Sequence, residues 1–220
     1  MCDGKGEDMV FTLEEIKEDL NKLTEKQFYT KHIIRSDNWY FEEYLNKDMS
    51  DVMQLIDDYR LIVSEGFGIS YNSVMMVGSG KIGYSMSPPS DNNPSQSKLF
   101  MPFNDDAQVR KVSDLDIAII SSDIFHQYWK LFRKSYKLKY QNTYLHLYNE
   151  LYRGYINERN IAEVDGCRRV WNETALVSKK KLRNDLYFRH DISYRIYRSW
   201  EDFEEYNIQN ISKIKKEIGL

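Results

Sequence analysis

Between residues 50 and 83 the hydrophobic period of the chain changes, and this change restricts the fold more than any other feature of the sequence. Val52, Leu55, Ile56, Tyr59, Ile62 and Val63 recur at the spacing of one apolar helix stripe. Ser50 is the expected N-cap, with Asp51 in the first turn. Glu65-Gly66-Phe67-Gly68 is the expected end, because glycine accepts the left-handed geometry of helix termini. Directly afterwards, Ser73-Val74-Met75-Met76-Val77 is a short unbroken apolar run that stops at Gly78-Ser79-Gly80, the pattern of a buried strand entering a tight turn. A chain with both periods needs a sheet with helices packed on it.

The rest of the sequence agrees. Leu115-Asp116-Ile117-Ala118-Ile119-Ile120 reads as a second strand, and Ser121 or Ser122 as the cap of a helix starting near Asp123. No Gly or Pro follows until Gly154, which leaves room for one long helix or two. Residues Asp191 to Tyr197 alternate as a half-buried strand does. Ser199 and Asp202 form a capping-box pattern opening a last helix with Phe203, Ile208, Ile211 and Ile214. Upstream, Leu13 to Leu23 and Trp39 to Leu45 are amphipathic. The expected class is α+β, with a helical segment over 1–70 packed on a domain over 71–220. Pro88 to Gln96, crowded with Pro, Ser, Asn and Asp, is expected to be a mobile surface loop.

Composition excludes several functions. The 31 Lys and Arg against 34 Asp and Glu give a net charge of −3, which argues against a polyanion-binding surface over the whole molecule. The longest apolar runs, Val74 to Val77 and Ile117 to Ile120, are too short for a membrane span. Met1 to Asp8 is polar and has no signal-like apolar core, so the expected location is cytoplasmic. Cys2, in a terminus expected to fray, and Cys167, with His32, His126, His146 and His190, are too scattered for a disulfide framework or a zinc site.

Two features carry chemistry. Asp114 and Asp116 are two apart on a strand, so their carboxylates share one side and repel unless a cation sits between them. Hard oxygen ligands of this kind suit Mg²⁺ or Mn²⁺. The Gly78-Ser79-Gly80-Lys81 turn offers the other half, since small residues let backbone N–H groups approach a phosphate. It is not a P-loop, which needs glycine where Met75 stands and Ser or Thr where Ile82 stands.

An apolar strand, Gly78-Ser79, Gly83, and then Ser113-Asp114-Leu115-Asp116 in chain order resembles the nucleotidyltransferase superfamily that includes DNA polymerase beta. The resemblance implies a polymerase-beta-like core and the transfer of a nucleoside monophosphate from a nucleoside triphosphate, with ATP the expected nucleotide, to a hydroxyl of RNA, a protein or a small molecule. It implies that Gly78, Ser79 and Lys81 hold nucleotide phosphate and that Asp114 and Asp116 bind two divalent metals. A third catalytic carboxylate comes from a later strand in such proteins, and Asp191 is the candidate. Arg189 and Arg195 could meet triphosphate charge, and neither is assigned. The 34 residues between Ser79 and Asp114 exceed the about 10 of the family pattern, which an insertion near 87–110 explains at little entropic cost.

Other readings stand beside this one. The fold could serve as an inactive binding or regulatory module, and a toxin–antitoxin or phage-defence setting fits either form. An RNA-binding protein is the third reading. It would use Lys130, Arg133, Lys134, Lys137 and Lys139 with Lys179-Lys180-Lys181 and Arg183, and tyrosines 136, 140, 144, 148 and 152. Those tyrosines drift about 40° per four-residue step on a helix, so part of the stripe is expected in the core or against a protein partner or second copy.

Overall fold

The computed structural model describes residues 10–35, 37–88 and 97–220. The expectations of a mobile loop over Pro88 to Gln96 and of a frayed terminus carrying Cys2 fall largely or wholly outside these residues.

Helix α1 (Leu13–Lys22) opens on a capping box between Thr12 and Glu15. Thr24 and Gln27 repeat the device for the one-turn α2 (Glu25–Phe28). The chain continues as a π-helical turn over Tyr29–Ile34 and a second over Tyr40–Tyr44, where an ordinary short helix was expected. Helix α3 (Met49–Phe67) is capped by Asp48, whose Oδ1 accepts from the Asp51 N–H at 3.0 Å. Ser50, the expected cap, instead donates to Asp48 at 2.8 Å, because a carboxylate is the stronger acceptor for a helix start. The helix ends at Gly68, at φ 65°, whereas Gly66 stays helical.

The sheet comprises β1 (Val74–Val77), β2 (Leu115–Ile120), β3 (Tyr155–Asn157) and β4 (Ile192–Tyr197). It is mixed and ordered β1-β2-β4-β3, with β2 and β4 parallel and the outer strands antiparallel to them. The one-turn α4 (Ser79–Ile82) follows β1, and α5 (Ser122–Ser135) follows β2 with Ser121 as its cap. The stretch before Gly154 holds two helices, α5 and α6 (Gln141–Tyr152). Helices α7 (Glu158–Glu163) and α8 (Asp165–Asp185) lie between β3 and β4, and α9 (Trp200–Glu217) closes the chain. The fold is α+β with a small four-stranded mixed sheet. Among the described residues no helix is long and apolar enough to cross a membrane.

Strand alternation gives the two faces different chemistry. One face presents Val74, Met76, Leu115, Ile117, Ile119, Ile192, Tyr194 and Ile196 to a core shared with α3 and α8. Full burial of each such side chain contributes about 1.5–3 kcal/mol. The opposite face packs Met75, Ala118, Ile120 and Tyr197 against α1, the Tyr29–Ile34 turn and α9. The N-terminal segment therefore contributes to both cores. On this second face the apolar pattern is broken by Asp116, Ser193, Arg195 and Asn157, which line a cavity beneath α9.

Candidate functional site

The cavity has a volume of about 620 Å³, and its walls include Gly78, Ser79, Asp114 and Asp116. The glycine turn and the carboxylate pair are thus brought together. The antiparallel register sets Val77 opposite Asp116, so the turn leaves β1 directly beside that carboxylate. Gly78 adopts φ 69° and ψ −154°, a region essentially reserved for glycine. A Cβ there would lie 2.7 Å from Asp116 Oδ2, so glycine is required both by conformation and by the close approach. Among the described residues nothing accepts from the backbone N–H groups of Ser79 and Gly80, which leaves two donors at the turn.

Asp114 is positioned by its neighbours. The Leu115 N–H donates to the Asp191 carbonyl at 2.7 Å, and the Ser113 N–H donates to Asn104 O at 2.8 Å. The Ser113 carbonyl accepts from His190 Nδ1 at 3.0 Å, a bond that places the imidazole proton on that nitrogen. His190 is itself buried in a cage of Tyr40, Tyr44 and Phe103.

Burial, then the charge of Asp114, pushes the Asp116 carboxyl above the usual aspartate range, with opposing pulls from the Ser193 hydroxyl, Arg195 and Lys98. Asp116 is partly buried and lines the cavity. Two like charges on one cavity wall repel each other unless a cation offsets them. The donor set fits one Mg²⁺ or Mn²⁺, ions that take one or two carboxylates and fill their remaining positions with water and phosphate oxygens.

Asp191 does not join the pair. Its side chain is 91% exposed and pairs with Arg183 Nη2 at 2.7 Å. The parallel register sets Ser193 opposite Asp116, and Ser193 Oγ donates to Asp116 Oδ1 at 2.5 Å. A third negative charge beside the pair would add repulsion, whereas turning outward gives Asp191 an arginine. Among the described residues no group of three or more His, Cys, Asp or Glu side chains is placed to hold a metal ion.

Lys81 also departs from expectation. It is buried away from the cavity, with its ammonium bonded to the Arg35 and Asp37 carbonyls, and burial pushes its pKa down to about 8. It ties the chain after the Tyr29–Ile34 turn to α4 and cannot reach a phosphate in the cavity.

The positive charge of the site comes from residues that the sequence left unassigned. Lys98, Arg110, Lys111 and Arg195 all line the cavity. Lys98 and Arg110 belong to the insertion and Lys111 directly follows it; the insertion folds back on the core through the Tyr84–Pro102 bridge and the Phe103 N–H to Gly83 O bond of 2.7 Å. Asn104 stitches its return with bonds to the Asp106, Arg110 and Lys111 carbonyls. The described part of the insertion is thus a wall of the cavity. Arg195 shares the polar side of the alternation with Ser193, opposite Ile192, Tyr194 and Ile196, where a charge reads as merely solvated, so it carried no distinct signal in the sequence.

The basic runs elsewhere are partly neutralised. Lys179 pairs with Glu158 at 2.6 Å and Lys139 with Asp165 at 3.0 Å, while Arg183 is taken by Asp191. Within the tyrosine stripe, Tyr140 is buried whereas Tyr136, Tyr148 and Tyr152 are exposed. Comparison of the chain with protein-family models, with curated proteins and with solved structures finds no match in any of the three.

Proposed function

We propose that this cavity carries out metal-dependent nucleotidyl transfer, with a nucleoside triphosphate as donor and a hydroxyl as acceptor, on a nucleotidyltransferase-like core. The observation that carries the reading is the seating of the Gly78 turn against Asp116 in a cavity that also holds Asp114. Asp114 and Asp116 would hold Mg²⁺ or Mn²⁺. A divalent ion there lowers the pKa of a bound hydroxyl and offsets phosphate charge. The N–H groups of Ser79 and Gly80, with the Ser79 hydroxyl, grip the phosphate tail and aim the α-phosphorus at the acceptor. The acceptor oxygen forms a new bond to the α-phosphorus and the bond to the bridging oxygen breaks. Pyrophosphate leaves with that electron pair, and the acceptor proton passes to water. Lys98, Arg110 and Lys111, which line the same cavity, would offset the departing charge.

The outward placement of Asp191 favours a second reading, a module that binds nucleotide without transferring it. One experiment separates the two. The protein is incubated with each α-labelled nucleoside triphosphate, Mg²⁺ or Mn²⁺, and cell extract, and label is sought on RNA, protein and small molecules. Transfer by the wild type that is lost in Asp114→Asn and Asp116→Asn, at an undiminished thermal transition, supports the enzyme. Nucleotide binding without transfer supports the module, and transfer at wild-type rate by both variants removes the assignment of the pair.

A further inference from the structure

We propose that Arg195 is a resident cation of this site, meeting polyphosphate charge in place of a second divalent ion, so that one metal at Asp114 and Asp116 and one guanidinium together hold the triphosphate. The inference rests on the nucleotide reading above. Two carboxylates suffice for one Mg²⁺, and the position paired with Asp116 on the neighbouring strand is the uncharged Ser193. A second ion has no carboxylate of its own. Arg195 stands two residues further along β4 on the same face, about 7 Å away at the rise of a strand.

Every protein partner of its guanidinium is neutral. Nε donates to Asn157 Oδ1 at 2.7 Å, and Nη1 donates to the Tyr206 hydroxyl at 2.5 Å and to that of Tyr197 at 3.4 Å. The Tyr155 and Tyr206 rings flank it, with centroids 5.4 and 4.9 Å from the guanidinium carbon. Among the described residues no carboxylate lies within ion-pair distance, although Arg198, three positions on, pairs with Asp202 at 2.6 Å. Nη2 likewise has no partner among them, and the residue lines the cavity. An enclosed full charge without a direct ion pair is costly. Neutral groups here fix the guanidinium plane, and Asp116 attracts it through space without a direct ion pair, so its planar fork is left to match two phosphate oxygens.

The test uses the full chain and two probes. ATP with Mg²⁺ is titrated by calorimetry, and Mn²⁺ alone is counted by electron paramagnetic resonance. Wild type should take up one Mn²⁺ per chain. Arg195→Gln should weaken ATP binding about 10- to 100-fold, the size of a lost charge-assisted bond. The same variant should bind Mn²⁺ as well as wild type or better, because a like charge has gone. A merely structural role would weaken both probes together, and that result overturns the proposal. Two Mn²⁺ per chain, or ATP affinity within about twofold of wild type, also overturns it and leaves the nucleotide reading standing. Failure of wild type to bind ATP removes that reading, and the inference with it. Should Arg195→Gln not fold, Arg195→Lys carries the test: it keeps the charge, loses the fork and should weaken ATP binding several-fold with Mn²⁺ binding intact.

Discussion

The contact between the glycine turn and the carboxylate can be broken from either side, which makes Gly78→Ala an informative substitution. Two costs are expected. The backbone at φ 69° and ψ −154° is nearly closed to alanine, a strain of about 1–3 kcal/mol. The new methyl would also stand 2.7 Å from Asp116 Oδ2, so the turn or the carboxylate must shift. Directly contacting residues couple by about 0.5–3 kcal/mol. Together these predict a loss of about 2–4 kcal/mol, or roughly 5–15 °C in melting temperature for a chain of this size. Urea unfolding of wild type, Gly78→Ala, Asp116→Ala and the double variant separates the parts. The strain survives in the Asp116→Ala background and the contact does not, so the second substitution should recover at least about 0.5 kcal/mol of the loss. A loss below about 0.5 kcal/mol in Gly78→Ala, or strict additivity of the pair, would refute the placement of the turn against that carboxylate.

Two further predictions concern charge. Because burial and Asp114 push the Asp116 carboxyl up, its ionised form costs the ligand-free fold stability at neutral pH. Asp116→Asn should therefore stabilise the protein by about 0.5–2 kcal/mol in urea unfolding at pH 7. The gain should vanish below the ordinary aspartate range, where the group is protonated in both states; destabilisation at pH 7 would contradict this. Lys81, held down to about 8 from its ordinary 10.5, binds its proton more weakly in the fold than in the unfolded chain. Unfolding free energy should accordingly rise from pH 8 toward 10, then fall as tyrosines such as Tyr194 and Tyr197, pushed up by burial, lose their protons first in the unfolded chain. Lys81→Met should flatten the rise; an unchanged profile would show that another group causes it.

The fold was legible wherever one physical signal acted alone. The apolar run of β2 has the expected bounds, and the Ser199 cap of α9 is formed as its pattern suggests. β3 was missed because three residues give too little alternation to notice, and its place at the sheet edge depends on pairing with β4. The π-helical turns were invisible for a similar reason, since their apolar residues are spaced much as in an ordinary helix. At the site, Gly78, Ser79, Asp114 and Asp116 were readable because local geometry, a strand running into a turn and an i, i+2 pair, dictates where they point. Asp191, Lys81 and Arg195 were not, because each depends on long-range register. The pairing of β2 with β4 puts Ser193 beside Asp116, frees Asp191 for Arg183, and turns Arg195 into the cavity. Lys81 was drawn instead to carbonyl groups far back in the chain.

The central claim, that Asp114 and Asp116 join a metal ion to a polyphosphate, is tested most directly by measuring ATP affinity with Mg²⁺ and again with a chelator. Without the ion, ATP phosphates face two carboxylates and should bind weakly; with it, affinity should rise by at least about tenfold, and that rise should disappear in the folded Asp114→Asn, Asp116→Asn double variant. Equal affinity in chelator and in Mg²⁺, or a Mg²⁺ effect that survives in the double variant, would contradict the account.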